Sequence, residues 1–142
     1  MSLLWTAQEL IEAMAGRPLG TLPDGVTGIS IDSRTAGQGD AFFAIKGDRF
    51  DGHDFASAAV AGGVNLLVVS EAKLPALGRL TAPMIVVKDV LAALEDLGRA
   101  SRARSAAKVI AITGSVGKTT TKEMLRRALQ PSGEVHASAA SF

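Results

Sequence analysis

The 142-residue sequence contains no cysteine, which excludes a disulfide scaffold, zinc sites built on thiolates and any His–Cys catalytic pair. Histidine is scarce as well. His53 and His136 are the only two, too few for an all-imidazole metal cage. Neither sign of charge dominates: 15 Lys and Arg stand against 14 Asp and Glu, a formal net charge of +1. That balance argues against bulk affinity for nucleic acid. Long apolar runs are missing too. Stretches such as residues 66–69 and 84–87 are strand-sized, and none approaches the ~20 residues a bilayer span requires. Residues 1–5 carry no basic stretch, and Glu9 and Glu12 fall where the apolar part of a secretory leader would continue. The expectation is a cytoplasmic protein with no membrane insertion and no nucleic-acid partner. What is present is an ordinary globular composition, 47% hydrophobic and 20% charged, enough for a domain with its own core and unlike a disordered or collagen-like chain.

The pattern along the chain alternates strands and helices. Thr6-Ala-Gln-Glu9 spells a capping box ahead of a helical stripe at Leu10, Ile11 and Met14, with Gly16 as its stop. Residues 18–25 read as turn, 26–31 as a strand and 41–45 as a second short strand. Phe55, Ala58, Ala59 and Gly62 share a helical face and predict a helix over 54–61. Residues 64–69 and 84–87 read as strands around a loop or short helix. Asp89 caps a helix running to about Arg104. A strand over 108–113, a helix over 117–129, a turn at 131–133 and a further strand from 134 to 136 complete the reading, with His136 at a strand edge. The fold class is α/β with a largely parallel sheet. Charge divides near residue 88: seven Lys and Arg against nine Asp and Glu before it, eight against five after it. The second segment is thus mildly basic, as suits a phosphate-binding loop.

The strongest motif lies in the second region. The run Val109-Ile-Ala-Ile-Thr-Gly114-Ser-Val-Gly117-Lys118-Thr119-Thr120 takes an apolar segment into a Gly-rich turn that opens a helix. Loop and first-turn amides of Gly114, Ser115, Val116, Gly117, Lys118, Thr119 and Thr120 can cradle an anion. Lys118 offers an ammonium to β- and γ-phosphates, and the Thr119 hydroxyl suits Mg²⁺, which takes oxygen ligands. The common phosphate-loop spelling G-x-x-x-x-G-K-[ST] is not met, because Ile112 stands five residues before Gly117. The bland alternative is a Gly-rich turn with a solvated lysine.

At Thr113–Met124 (Thr-Gly-Ser-x-Gly-Lys-Thr-Thr-Thr-Lys-Glu-Met) the sequence resembles the ATP loop of the Mur ligases. These are ATP-dependent amide-bond-forming enzymes of peptidoglycan precursor synthesis. Ser115 and Lys122-Glu123-Met124 look most like the branch that adds D-alanyl-D-alanine. The upstream block is similar to that family's UDP-sugar-binding domain: Ile31-Asp32-Ser33-Arg34, then Gly39-Asp40 through Lys46-Gly47 to Asp51-Gly52-His53 and Phe55. The resemblance implies a UDP-muramoyl-peptide-binding α/β domain over 1–88 and the first βα unit of an ATP-binding P-loop domain over 89–142. Ser33, Arg34, Lys46, Gly47, Asp51, Gly52 and His53 become candidates for the substrate. Ser33 can donate to a diphosphate, Arg34 and Lys46 can pair with its charge, and Gly47 and Gly52 permit close approach. Two alternatives stay open. Arg34 can instead brace its loop through Asp32 or Asp51, and His53 can be a helix-start residue bonded to Asp51 or the backbone. The four phenylalanines Phe42, Phe43, Phe50 and Phe55 read as core, with one of them, or the loop beside them, available to wall a uracil pocket.

The implied reaction uses ATP and Mg²⁺. ATP phosphorylates the terminal carboxylate of UDP-N-acetylmuramoyl-tripeptide, the amine of D-alanyl-D-alanine attacks the acyl phosphate, and phosphate leaves. Lys118 is the catalytic candidate, Thr119 the metal ligand. The resemblance further implies an N-terminal fragment, inert alone, of a longer enzyme expected to be monomeric. Rival readings are a Mur ligase that adds the third peptide residue, a folate-polyglutamate ligase, and a non-catalytic UDP-sugar-binding module. One physical difficulty is visible in advance. A lone parallel strand over 108–113 cannot bury both its faces, so it must dock, self-associate or stay poorly ordered.

Overall fold

The computed structural model describes residues 2–139. The chain divides into two compact units, Met1–Ser105 and Ala106–Phe142.

In the first unit, β1 (Trp5–Thr6) leads into α1 (Ala7–Met14). The capping box forms in full: the Glu9 amide donates to the Thr6 hydroxyl at 3.2 Å, and the Thr6 amide donates to the Glu9 carboxylate at 2.8 Å. α1 ends at Ala15 in the left-handed conformation (φ 50°), one residue ahead of the expected Gly16 stop. The segment expected to be pure turn contains β2 (Arg17–Leu19), an edge strand antiparallel to β7. Pro18 hid it, since proline belongs to strands only where no ladder amide is needed. The strand expected over 26–31 is two pieces, β3 (Gly25–Val26), paired with β1, and β4 (Gly28–Ser30).

β4, β5 (Asp40–Phe43), β6 (Leu66–Ser70) and β7 (Met84–Val87) run parallel, and the five-stranded order is β2-β7-β6-β5-β4. Between β5 and β6 lie a 3₁₀ turn (Gly52–Phe55) and α2 (Ala56–Ala61); between β6 and β7 lie a 3₁₀ turn (Glu71–Lys73) and α3 (Leu74–Leu77). α4 (Val90–Arg104) follows β7, its first turn capped by Asp89, which accepts from the Ala92 amide at 2.9 Å.

The period-2 geometry of strands sorts the core into two layers. Ala41, Phe43, Leu66, Val68, Ile85 and Val87 face α1 and α4, where Leu10, Met14, Val90, Ala93 and Leu97 pack. Phe42, Ala44, Leu67, Val69, Met84 and Val86 face the opposite way, onto Ala56 and Ala59 of α2. Because α4 buries its apolar stripe in this core, the compact unit runs to Ser105, and the division expected after residue 88 falls inside it. The last turn of α4 is pinned to the start of the chain. The Arg104 guanidinium lies 3.3 Å from the Trp5 ring centroid and donates to the Leu4 carbonyl at 2.7 Å.

The second unit is built around α5 (Lys118–Leu129) and a 3₁₀ turn (Gln130–Ser132). The strands expected over 108–113 and 134–136 do not form, and His136 is an exposed residue outside any strand. Val109 and Ile110 are 62% and 58% exposed. Their sequence suits a strand buried on both faces, but this unit supplies no neighbouring strand among its described residues to complete the ladder.

Candidate functional site

Parallel strands deliver their following loops to one edge of a sheet, and in open α/β sheets ligands gather outside the carboxyl ends of the strands. Here the turn after β4 and the hairpin after β5 meet at that edge. They enclose a cleft of about 540 Å³, lined by Ile31, Asp32, Ser33, Arg34, Phe42, Ile45, Phe50, Gly52 and Phe55.

The turn after β4 is organised by Asp32. Its carbonyl accepts from the amides of Thr35 and Ala36 at 3.1 and 2.9 Å. Its carboxylate accepts from the Arg34 amide at 2.9 Å and, bidentately, from the Arg34 guanidinium at 2.9 and 2.7 Å. The hydrogen bonds from the Arg34 side chain, then from its amide, lower the Asp32 carboxyl to about 2. Arg34 thus braces this turn through Asp32, the structural alternative left open above, while its side chain remains 86% exposed. Ser33 sits between the two on the cleft wall.

The hairpin after β5 is closed by pairing of Lys46 with Asp51, a Gly47 amide bond to the Phe50 carbonyl at 2.8 Å and a Gly52 amide bond to the Ile45 carbonyl at 2.8 Å. Gly52 is dictated by contact: a Cβ there would stand 2.7 Å from the Ile45 nitrogen and 2.8 Å from the Ala44 carbonyl carbon. Phe50 and Phe55 meet edge-to-face with ring centroids 6.4 Å apart. They are 70% and 42% exposed, whereas Phe42 and Phe43 are buried core. The expected phenylalanine cluster is therefore divided into two buried core rings, of which Phe42 also borders the cleft, and two exposed rings on the cleft.

Asp51 and His53 lie behind this wall. His53 Nδ1 is 2.6 Å from an Asp51 carboxylate oxygen, and Lys73 Nζ is 2.7 Å from the other. Burial works to raise the Asp51 carboxyl, but the hydrogen bonds from Lys73 and His53 outweigh it and hold it well below the usual carboxylate range. His53 Nε2 accepts from the Ser70 amide at 2.9 Å. Of the predicted substrate residues, Ser33, Arg34 and Gly52 line the cleft. Lys46 and Gly47 stand on its hairpin outside the lining, and Asp51 and His53 support it from behind. Lys73 and Ser70 had no sequence assignment to this site. Phe50 and Phe55 read from sequence first as core, with one of the four phenylalanines, or the loop beside them, available to wall a uracil pocket.

In the second unit, Gly117 takes φ 80° and Gly114 φ 145°, the conformations that let the loop turn sharply into α5. Gly117 occupies the cap position of α5, and no side chain caps the helix there. Gly114, Ser115, Val116, Gly117, Thr119 and Thr120 are exposed, and Lys118 is half-buried. This is the arrangement in which a helix start presents amides and a positive dipole end to an anion. No group of three or more His, Asp or Glu side chains able to hold a metal occurs among the described residues. The Thr119 hydroxyl is an oxygen donor on an exposed residue, the ligand type that hard cations take.

The family model described as "Mur ligase family, catalytic domain" matches residues 25–102, the span that holds β4 to β7 and the cleft. The chain belongs to the Mur ligase family. Curated Mur ligases named UDP-N-acetylmuramoyl-tripeptide–D-alanyl-D-alanine ligase are similar to it. That of Synechocystis is 37% identical over 82% of this chain and 25% of its own length. That of Escherichia coli is 40% identical over 74% of this chain and 22% of its own. The crystal structure of MurF from Acinetobacter baumannii is 43% identical, with TM-score 0.77 over 89% of this chain and 28% of that one. MurF ligase from Thermotoga maritima, solved in complex with ADP, is 32% identical, with TM-score 0.57 over 72% of this chain and 23% of that one. The chain spans about a quarter of the length of the curated Mur ligases it matches. No helix among the described residues is long and apolar enough to cross a membrane.

Proposed function

We propose that this chain carries the nucleotide-sugar-binding unit and the ATP loop of a cytoplasmic ligase that joins D-alanyl-D-alanine to UDP-N-acetylmuramoyl-tripeptide. The observation that carries the reading is the cleft at the carboxyl edge of the sheet, with a hydroxyl and an arginine-braced turn on one wall and two aromatic rings on the other. An aromatic edge-to-face pair offers a flat base a stacking surface. Ser33 supplies a donor for a phosphate oxygen. Arg34, exposed although paired with Asp32, keeps charge within reach of a diphosphate. Lys46 on the neighbouring hairpin adds a second cation.

The loop before α5 takes ATP in the same reading, in keeping with the Thermotoga maritima MurF neighbour solved with ADP. Amides from Gly114 to Thr120 hold the phosphates, and Lys118 neutralises the γ-phosphoryl group as it moves. Thr119 would hold a Mg²⁺ ion, which would supply charge neutralisation for the phosphates. The γ-phosphoryl group passes to the terminal carboxylate of the tripeptide with loss of ADP. The amine of D-alanyl-D-alanine then forms the amide bond and displaces phosphate. Positioning and charge neutralisation provide the acceleration.

Titration of the chain with UDP-N-acetylmuramoyl-tripeptide in a calorimeter tests the first half. Saturable binding that weakens at least about tenfold in Ser33→Ala, the loss of one charge-assisted hydrogen bond, is expected. Equal affinity for unrelated nucleoside diphosphates would remove the sugar-nucleotide assignment. ATP binding lost in Lys118→Ala tests the second half.

A further inference from the structure

We infer that His53 is a positioning residue: its neutral ring, protonated on Nδ1, roots the aromatic wall of the cleft, and protonating the ring releases that wall and weakens the hold on a nucleoside diphosphate. The ligand part rests on the function proposed above; the rooting of the wall does not.

The tautomer follows from the partners. A backbone N–H only donates, so Nε2, 2.9 Å from the Ser70 nitrogen, is the acceptor. Nδ1 therefore carries the proton and donates to Asp51 at 2.6 Å. The ring joins the turn after β5 to the carboxyl end of β6, 17 residues away in sequence. Its side chain is 4% exposed, and it is the single buried residue of the 3₁₀ turn Gly52–Phe55. That turn carries Gly52 and Phe55 into the cleft, with Phe50 resting on Phe55. The Gly52 amide bond to the Ile45 carbonyl holds one end of the turn, and the imidazole is the side chain that ties its middle to β6.

Protonation sets a second N–H at Nε2 against the Ser70 N–H. One hydrogen bond is lost and two donors face each other at a ring that is 4% exposed. The charged groups around the ring do not offset this fully. Asp51 attracts an imidazolium, but Lys73, from the turn after β6, already occupies its other oxygen. Asp54, exposed on the same turn, acts on Lys73. The ring must swing, and the turn swings with it. Asp32 and Asp51 are held ionised far below neutrality, so they keep their charge in the range where imidazoles titrate.

The test uses the intact chain and UDP as probe, from about pH 8 to about pH 5. Calorimetry should show wild-type affinity falling about tenfold or more on acidification. His53→Gln, whose neutral amide oxygen still accepts from Ser70 although it gives up the bond to Asp51, should lose the pH dependence whatever its affinity at the upper pH. Without ligand, the Ser70 and Gly52 amide resonances should move on acidification in wild type and hold still in His53→Gln. A Ser70 resonance that does not move in wild type overturns the proposal, whatever UDP does. So does an identical pH dependence in both proteins. If the resonances move in wild type alone while UDP fails to bind at either pH, the positioning role is supported and the diphosphate reading falls.

Discussion

The two units contain near-identical apolar runs with opposite fates. Met84–Val87 is a buried central strand, while the Val109, Ile110 and Ile112 segment forms no strand and leaves its first two side chains mostly in solvent. Composition and β-propensity do not separate them. The neighbours do: β7 has β6 on one side and β2 on the other, with helices over both faces. Strand formation here is a property of the assembled sheet, and sequence preference supplies only the candidate.

The largest break in that comparison comes from the core of the first unit. Phe42→Ala is expected to cost about 3–5 kcal/mol in urea unfolding followed by circular dichroism. Amide resonances from Ala106 on should be unaffected; if they shift with the mutation, the units are not independent. Gly52→Ala should cost about 1–3 kcal/mol, because the added methyl meets backbone rather than a yielding side chain. It should also weaken UDP binding, which calorimetry reads. Asp89→Ala removes the cap of α4 for about 1 kcal/mol in the same unfolding assay.

Acid provides a gentler probe. Asp32 has its carboxyl lowered, so its contribution to the turn after β4 is complete above the unfolded carboxylate range, near ~4. It is lost progressively as pH falls from there through about 2. The Asp32 side-chain carboxyl resonance should titrate with a midpoint of about 2, and Arg34→Ala should move that midpoint up toward the ordinary carboxylate range. The smallest effect belongs to the second unit. Val109→Thr should change unfolding by less than about 0.5 kcal/mol, and amides 108–113 should exchange far faster than those of β7. Slow exchange there would show that the segment has found a strand partner.

Elements whose signals are local were legible in the sequence. The capping box at Thr6 and Glu9, the Asp89 cap, the run at 84–87 and the helix after Gly117 all form. Elements decided by distant partners were not. β2 depends on β7 more than sixty residues later and carries Pro18. The strand expected over 108–113 lacked neighbours that no local pattern could reveal. In the cleft, Ser33, Arg34 and Gly52 were found because their residue types state their chemistry. Phe50 and Phe55 were grouped with Phe42 and Phe43, since periodicity does not tell a ring on a hairpin from a ring in a strand. Lys73 escaped notice because its tie to Asp51 spans two elements.

The guanidinium of Arg104, seated on the Trp5 ring, bonds the Leu4 carbonyl 100 positions away. The polypeptide therefore enters and leaves the first unit at one spot. Such a unit is suited to circular permutation. A version opened between Gly62 and Gly63, with residue 105 tied back to residue 2 by a short linker, should keep the sheet pairings of the first unit, which amide hydrogen exchange would check.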